Sequence, residues 1–211
     1  MATLTNKIDF AVVLEVNNAN PNGDPLNGNR PRVTYDGTGE ISDVCIKRKL
    51  RNRFLDRGHI VFVQSNDYRV DDYTSLRQRA EGELKDAMKN KDLFSQKACE
   101  KWIDVRSFGQ VFAYPSKKKG EGISVGVRGP VSIHPAFSVE PVMTTSTQIT
   151  KSVSDEGDGS KKGSDTMGMK HRVDHGVYIF YGSINTQLAT KTGFSEADAE
   201  ELTQSLIHLF A

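Results

Sequence analysis

An apolar strand that opens directly into an amide-rich loop is the strongest constraint on how this chain can fold. Residues 8–16, which include the run FAVVLEV, are mostly apolar and β-branched without a breaker, and they predict a buried strand. Residues 17–32 follow as NNANPNGDPLNGNRPR, and six of the first thirteen are asparagine. Because proline and glycine interrupt regular structure and asparagine favours turns, the sequence predicts a long loop at the end of this strand.

This loop has two interpretations. Asparagine amides both donate and accept hydrogen bonds, and glycine lets backbone amides approach a ligand. Such a loop could hold phosphates or sugar hydroxyls with little fixed charge. Alternatively, the asparagines and glycines serve only the backbone angles of tight turns. The residue types fit both interpretations.

A basic helix is predicted after the loop. Ser42 suits its N-cap, Asp43 its first turn and Gly58 its end. Its predicted buried stripe recurs every four residues: Ile46, Leu50 and Phe54. Residues 43–57 hold six basic and two acidic residues, so few ion pairs can form within the helix. Its surface either binds phosphates or is simply solvated.

The later segments complete an α+β pattern. The apolar run 59–64 predicts a short strand or edge segment, and residues 73–103 predict two helices broken near Asn90. Residues 151–170 are rich in glycine and serine, which predicts an exposed, mobile excursion. Residues 176–185, GVYIFYGSIN, predict another strand.

These elements indicate a modified ferredoxin-like (RRM-like) fold. We expect a single domain over residues 1–211, with a helical insertion at 65–104 and a flexible, thumb-like segment at 151–170. A capping box at Ser195 and Asp198 begins the last helix. The pattern should close with one more strand after that helix, and the sequence contains none. Either the chain is truncated or a segment from elsewhere takes that place.

Charge is balanced overall but unevenly distributed. With 28 basic and 27 acidic residues, the formal net charge of +1 taken alone argues against a nucleic-acid binder. Basic residues are nevertheless concentrated at 43–57 and 117–119. No apolar run approaches the roughly 20 residues of a membrane span, and the N-terminus does not resemble a signal peptide. We therefore expect a cytoplasmic protein, with Cys45 and Cys99 as reduced thiols.

Motifs for catalysis are weak. The sequence contains no Ser-His-Asp signature, Walker loop or dinucleotide fingerprint. His171, Asp174 and His175 could contribute to a metal site. Four aspartates near predicted loops could serve a two-metal nuclease: Asp24, Asp36, Asp43 and Asp104. Phe108 and Met167 are flanked by glycine and polar residues, so each could stack on a base or wedge against one.

Five segments in order resemble the backbone subunit of the CRISPR Cascade complex, the Cas-seven family, and most closely its type I-C form. They are NPNGDP, SDVCIKRKLRNRF, DVRSFGQVFA, VRGPVSIHPAFSVEPVMTTSTQITKS and TMGMKHRVDHGVYIFYG. The resemblance implies a ferredoxin-like palm with a helical lobe and a thumb. It implies that copies of the chain stack along a guide RNA (crRNA), while base pairing with target DNA supplies specificity. It implies other Cascade subunits as partners and neither a cofactor nor an enzymatic activity.

The resemblance also implies which residues bind nucleic acid. Those expected to contact guide RNA are Asn17, Asn20, Asn22, Gly23, Asp24, Lys47, Arg48, Arg51, Arg106, Ser107, Phe108, Gln110, Arg128, Met167, Lys170 and His171. Those expected to touch target DNA are Lys117, Lys118 and Lys119.

Three other functions stay open on the sequence. A backbone subunit of a related RNA-targeting complex would cleave RNA with a metal and a loop aspartate, for which Asp36 and Asp43 are the candidates. A stand-alone metal hydrolase would use His171, Asp174 and His175. The third alternative is a structural module that binds only protein.

Overall fold

The structure, a computed structural model, describes residues 2–114, 123–150 and 167–210. The predictions for residues 115–122, which include the three lysines, and for residues 151–166 lie outside this part of the chain. The strands are β1 (Ile8–Ala19), β2 (Gly23–Asp24), β3 (Arg30–Pro31), β4 (Thr38–Ile41), β5 (Gly109–Tyr114), β6 (Ile123–Arg128), β7 (Val131–Ile133), β8 (Ala136–Pro141), β9 (Thr144–Thr150) and β10 (Met167–Ile184). The α-helices are α1 (Asp43–Asp56), α2 (Leu76–Glu83), α3 (Lys91–Lys101), α4 (Ile103–Phe108), α5 (Thr186–Thr192) and α6 (Glu196–Ile207). The predicted α+β class is confirmed.

These residues divide into two compact units. The first unit consists of Met1–Ala11, Val44–His134 and Tyr181–Ala211. The second unit consists of Val12–Asp43 and Pro135–Phe180. The first unit holds most of the helical residues, and the second holds most of the main sheet.

Strand β10 organises the antiparallel sheet of the second unit, whose order is β1-β10-β8-β4. Strand β9 pairs with the N-terminal half of β10, and β8 pairs with its residues Tyr178 and Ile179. Residues 167–170, which we expected in the flexible excursion, are the first residues of β10. Two methionines, a glycine and a lysine give no strand-like alternation, yet the backbone of all four residues pairs with β9.

An aromatic core fills the first unit. Phe62 packs against Trp102 and Phe112, with ring centroids 4.6 and 5.1 Å apart, and Phe94 meets Phe112 at 5.0 Å. All four rings are buried, enclosed by α2, α3 and the β5–β6 hairpin. The predicted helix break near Asn90 is confirmed, because the side chain of Asn90 caps the first turn of α3.

The segment 59–64 is not a strand, so that prediction is wrong. Several of its backbone groups bond to side chains, and none pairs with a described strand. Phe62 N and Val63 N donate to the carboxylate of Asp104 at 2.7 and 3.0 Å, and Phe62 O accepts from Arg79 Nη1 at 2.8 Å. An apolar run does not distinguish these two ways of satisfying a buried backbone.

Asp104 also joins this segment to α1. Its carboxylate accepts a hydrogen bond from Arg51 Nε at 3.0 Å, and its side chain is only 1% exposed. Asp104 therefore lies in the interior, where its carboxylate is bonded to three donors of the protein itself. The stripe predicted for α1 is buried as expected: Ile46, Leu50 and Phe54. The helix ends at Asp56, before Gly58, whose positive φ of 84° favours glycine.

We predict that Asp104→Ala lowers the free energy of unfolding by roughly 3 to 5 kcal/mol, because it leaves a nearly buried guanidinium and two backbone amides without an acceptor. Urea unfolding followed by the fluorescence of Trp102, the single tryptophan, measures the change. Asp72→Ala removes an exposed aspartate of the same unit and should change stability by less than about 0.5 kcal/mol. Equal losses in the two variants would contradict the proposed role of Asp104.

Asp71 and Asp198 are among the carboxylates of the first unit that have lowered pKa values. Hydrogen bonds from Arg79 hold the pKa of Asp71 below its usual value of 3.8. Burial alone would raise the pKa of Asp198, but hydrogen bonds from Arg106 and Ser195 lower it. Because each folded-state pKa lies below the unfolded value, each group stabilises the fold above that value. This contribution is lost as the pH falls through the folded-state pKa.

The free energy of unfolding should therefore decrease as the pH drops from about 5 to about 2. Urea unfolding at a series of pH values, followed by tryptophan fluorescence, tests this. The variant Asp71→Asn cannot titrate at this position, so its stability should depend less on pH than that of the unmodified chain. An unchanged pH dependence in Asp71→Asn would show that the pair with Arg79 does not contribute to acid sensitivity.

Candidate functional site

The amide-rich loop after β1 folds as a compact hairpin in the second unit. Strands β2 and β3 pair antiparallel, with the 3-10 turn Pro25–Asn27 between them. Asn18 and Asn29 have positive φ angles of 51° and 61°, which asparagine tolerates better than most residues. A Cβ at Gly23 would lie 1.8 Å from Asn29 Oδ1, so a larger residue there would have to displace the Asn29 side chain. The turn interpretation of this composition therefore has direct structural support.

Several side chains predicted to contact RNA stabilise this hairpin. Asn20 Nδ2 donates to Asn29 O at 2.8 Å. Asn22 Oδ1 accepts from Ser42 N and Ser42 Oγ at 2.9 and 3.0 Å, which ties the loop to the start of α1. The carboxylate of Asp24 accepts a backbone hydrogen bond from the following turn. These bonds fix the loop, and contact of the same side chains with RNA stays a prediction.

The same loop presents cations that the sequence predictions omitted. Arg30 is exposed and has no polar side-chain partner among the described residues. Arg32 is partly exposed and lies 3.6 Å from Asp24. Asn17, one of the predicted contacts, is exposed at the end of β1. Both arginines belong to NRPR, the last four residues of the loop, so the sequence already indicated two cations at this position.

In the first unit, the predicted basic residues of α1 are partly engaged within the protein. The guanidinium of Arg51 bonds to Asp104, lies 5.2 Å from the centroid of the Phe108 ring, and is only 14% exposed. Arg48 donates to Asn52 and Ser65, yet its side chain is 42% exposed. Lys47 is half-buried. The helix therefore offers less unpaired charge than its sequence indicates.

Three further predicted contacts lie on α4. Arg106 donates to Asp198 Oδ1 from Nε and Nη2, at 3.0 and 2.7 Å, and its side chain is mostly buried. Asp198 belongs to the capping box of α6 with Ser195, which is confirmed as predicted. Ser107 is 1% exposed, and Phe108 stacks on another phenylalanine ring. In this conformation Arg106 and Ser107 are internal, whereas Phe108 is half-buried.

Gln110 and Arg128 lie at the paired ends of β5 and β6. Residue Gly109 is opposite Arg128, and Gln110 is next to it. A Cβ at Gly129 would lie 2.3 Å from Ser107 O, so another stretch of backbone approaches that glycine closely. Arg128 is exposed and has no polar side-chain partner in the described part of the chain. It is therefore the predicted contact of the first unit that is most accessible to a phosphate.

The last predicted contacts lie on β10 in the second unit. Met167 is 57% exposed and Lys170 is exposed. His171 is buried, and its Nδ1 lies 2.7 Å from Ser146 Oγ on β9. Thus Met167 and Lys170 are accessible, whereas His171 has an internal partner.

The three residues suggested as a metal site do not form a cluster of ligands. His171 bonds to Ser146, Asp174 bonds to Thr145, and His175 Nε2 lies 3.2 Å from a glutamate of β1. Over residues 2–114, 123–150 and 167–210, no group of three or more His, Cys, Asp and Glu side chains is arranged to hold a metal ion.

Comparison with known proteins identifies the family. The sequence model of the family described as CRISPR-associated protein Cas7 matches residues 6–211. The chain belongs to the Cas7 family. A curated Haloferax volcanii protein, named CRISPR-associated protein Cas7, is 29% identical over 214 residues, which cover 95% of this chain and 63% of the relative. This Cas7 chain thus spans less than two thirds of that relative's length.

Solved structures share the fold. A chain of a "CRISPR RNA-guided surveillance complex, pre-nicking" matches with a TM-score of 0.55 and 17% identity, over 97% of this chain and 71% of that chain. A chain of a "CRISPR RNA-guided surveillance complex" matches with a TM-score of 0.53 and 18% identity, over 95% and 60% of the two chains. In the described parts of this Cas7 chain, no helix has the length and apolar character needed to cross a membrane.

The hydrogen bonds of Asn22 generate a testable prediction. Asn22→Ala removes the acceptor for Ser42 N, so the backbone amide of Ser42 should exchange its hydrogen roughly tenfold or more faster, as loss of about 1.4 kcal/mol of protection implies. Asn22→Asp retains an acceptor and should keep most of the protection. Asn27→Ala, on the exposed tip of the same loop, is the matched control. Similar exchange of Ser42 in all three variants would contradict this role of Asn22.

Proposed function

We propose that this Cas7 chain is a guide-RNA-binding backbone subunit of a type I CRISPR Cascade surveillance complex, most like the type I-C form. Copies of the chain assemble along the crRNA, present it for pairing with target DNA, and join other Cascade subunits in the cytoplasm. The observation that carries this proposal is the family match over residues 6–211. The fold shared with chains of two RNA-guided surveillance complexes supports it.

In this proposal the exposed and internal polar groups have different roles. The exposed residues Arg128 and Lys170 contact phosphates, joined by Asn17 and by Arg30 in the loop. Arg106 positions the groove from inside the first unit through its pair with an internal carboxylate. Because phosphate and sugar contacts carry no sequence information, such a surface accepts any guide.

The fold of the proposed palm is ferredoxin-like, in one RRM-like domain with a helical insertion and a thumb at 151–170. Its support is the sheet order β1-β10-β8-β4, in which β1 and β10 are neighbours. Among the described strands, β1 pairs only with β10 in that order. The closing strand of the ferredoxin-like pattern would lie beside the other edge of β1.

The proposed subunit is a scaffold without catalytic activity or cofactor. Of the two aspartates suspected in an RNA-cleaving relative, Asp36 accepts hydrogen bonds from Thr34 Oγ1 and Thr38 N within its own turn. These bonds give Asp36 a role in the turn. Target cleavage in this proposal belongs to a different protein.

Sequence-independent RNA binding is the test of this function. If each subunit neutralises about four phosphates, the logarithm of the affinity for a 40-nucleotide single-stranded RNA should fall with log salt with a slope near −3. The double variant Arg128→Ala/Lys170→Ala should reduce the magnitude of the slope by about 1.4, since each lost contact removes roughly 0.7. Fluorescence anisotropy over a salt series, with RNAs of two unrelated sequences, measures both quantities.

Lys89→Ala is the matched control, because Lys89 is an exposed lysine that is not among the proposed contacts. It should leave the slope unchanged. A salt-independent affinity, or a slope equal in the double variant and the control, would contradict the assigned phosphate contacts. Cleavage of the RNA in the presence of Mg²⁺ or Mn²⁺, abolished by Asp36→Ala, would replace the scaffold with the nuclease.

A further inference from the structure

A solvent-open apolar cleft lies in the second unit, and none of its lining residues is assigned to RNA. Its volume is about 500 Å³, and it is bounded by the end of β8, the connection to β9, and the middle of β10. Its apolar lining consists of Val139, Pro141, Val142, Met143 and Val177. Gly176 forms part of its wall, where an added Cβ would lie 2.9 Å from Val142 Cγ1. The wall is therefore closely packed, whereas the mouth is open.

Apolar side chains at the mouth of the cleft are exposed to solvent. Met143 is 76% exposed and Val139 is 62% exposed. On the neighbouring part of the same two strands, Phe137 lies opposite Ile179, and Phe137 is 43% exposed. Contiguous exposed apolar surface of this kind marks an interaction site more often than scattered single residues do.

Carboxylates surround this apolar surface. Glu140 and Asp174 line the cleft, and Glu15 lies 3.2 Å from the lining residue His175. Arg172 pairs with Asp174 at 3.3 Å and offsets part of that charge. The remaining charge is negative, which disfavours phosphate groups and favours cations.

A rigid turn extends the rim with an aromatic ring and another carboxylate. The turn is joined to the cleft because Val142 N donates to Gly37 O at 3.0 Å. Tyr35 in this turn is fully exposed, and Asp36 follows it. The hydroxyl of Thr34 and the backbone of the turn hold the pKa of Asp36 below its usual value, so it is anionic at neutral pH. An exposed ring beside an anion suits a Lys or Arg side chain.

We propose that this cleft docks a basic peptide segment of a partner protein, one that places an apolar side chain in the cleft and flanking Lys or Arg side chains on its rim. Charge complementarity decides the occupant: the apolar lining favours an apolar anchor, and the carboxylates at and beside the cleft favour flanking cations. The docking site goes beyond the proposed function, since it concerns a protein partner and uses none of the residues assigned to RNA.

Peptide binding with matched probes tests this inference. A fluorescein-labelled peptide KRLLKR should bind the chain. The acidic peptide EDLLED and the peptide KRGGKR, which has no apolar anchor, should bind at least about tenfold more weakly.

Glu140→Lys and Met143→Gln should each weaken KRLLKR binding by roughly fivefold or more, because one reverses a rim charge and the other removes an apolar contact. Asp72→Lys and Met169→Gln are the matched controls at exposed positions outside the cleft lining.

The other outcomes would overturn the proposal, each in a recognisable way. Equal binding of KRLLKR and KRGGKR would show that only charge acts, and equal effects of cleft and control variants would place the peptide elsewhere. Displacement of the peptide by the 40-nucleotide RNA would make the cleft part of a nucleic-acid surface. If Glu140→Lys and Met143→Gln change only self-association in sedimentation, the occupant is a second copy. The affinity of Glu140→Lys and Met143→Gln for RNA is measured as well, and both variants should bind RNA as the unmodified chain does. A failure of the docking site therefore leaves RNA binding intact, whereas a failure of the proposed function does not.

Discussion

The buried carboxylate of Asp104 determines how the first unit is assembled, because donors from separate parts of the chain converge on it. Two are backbone amides of the segment 59–64, and the third is Arg51 on α1. A buried carboxylate with three donors is costly to disturb, since any displaced donor loses its acceptor in an environment with little water. This requirement fixes α1 against the segment and sets Arg51 beside the ring of Phe108.

The arginines of this Cas7 chain illustrate how one residue type can be bonded internally at one position and exposed to solvent at another. Arg106 is mostly buried and bonds to the carboxylate that caps α6, whereas Arg128 is exposed at the end of a hairpin. The planar guanidinium suits both roles, because it forms several directed hydrogen bonds to a carboxylate or to a phosphate. A protein that holds any guide needs a rigid groove as well as accessible cations, so internal pairs and exposed cations are complementary parts of the proposed surface.

Local features of the fold were predictable where the deciding residues are neighbours in the chain. The capping box of Ser195 and Asp198 lies within four residues, and the buried stripe of α1 within three turns. The segment 59–64 was predicted wrongly because its partner, Asp104, lies some 40 residues away. The start of β10 was missed because its residues, MGMK, show no strand-like alternation and are identified as a strand only by their pairing with β9.

The sequence by itself determined the α+β class, the main helices, the turn-forming loop and the family, since these depend on local periodicity and on ordered motifs. Only the tertiary structure decided which polar groups are used internally. Asn22 is bonded to Ser42, Arg51 to Asp104, and Arg106 to Asp198. The physical reason is that a polar side chain is free to bind a ligand only if no partner within the protein lies within hydrogen-bonding distance of it. Such partners are often far away in the sequence, so the fold sets the distance between them and the composition does not.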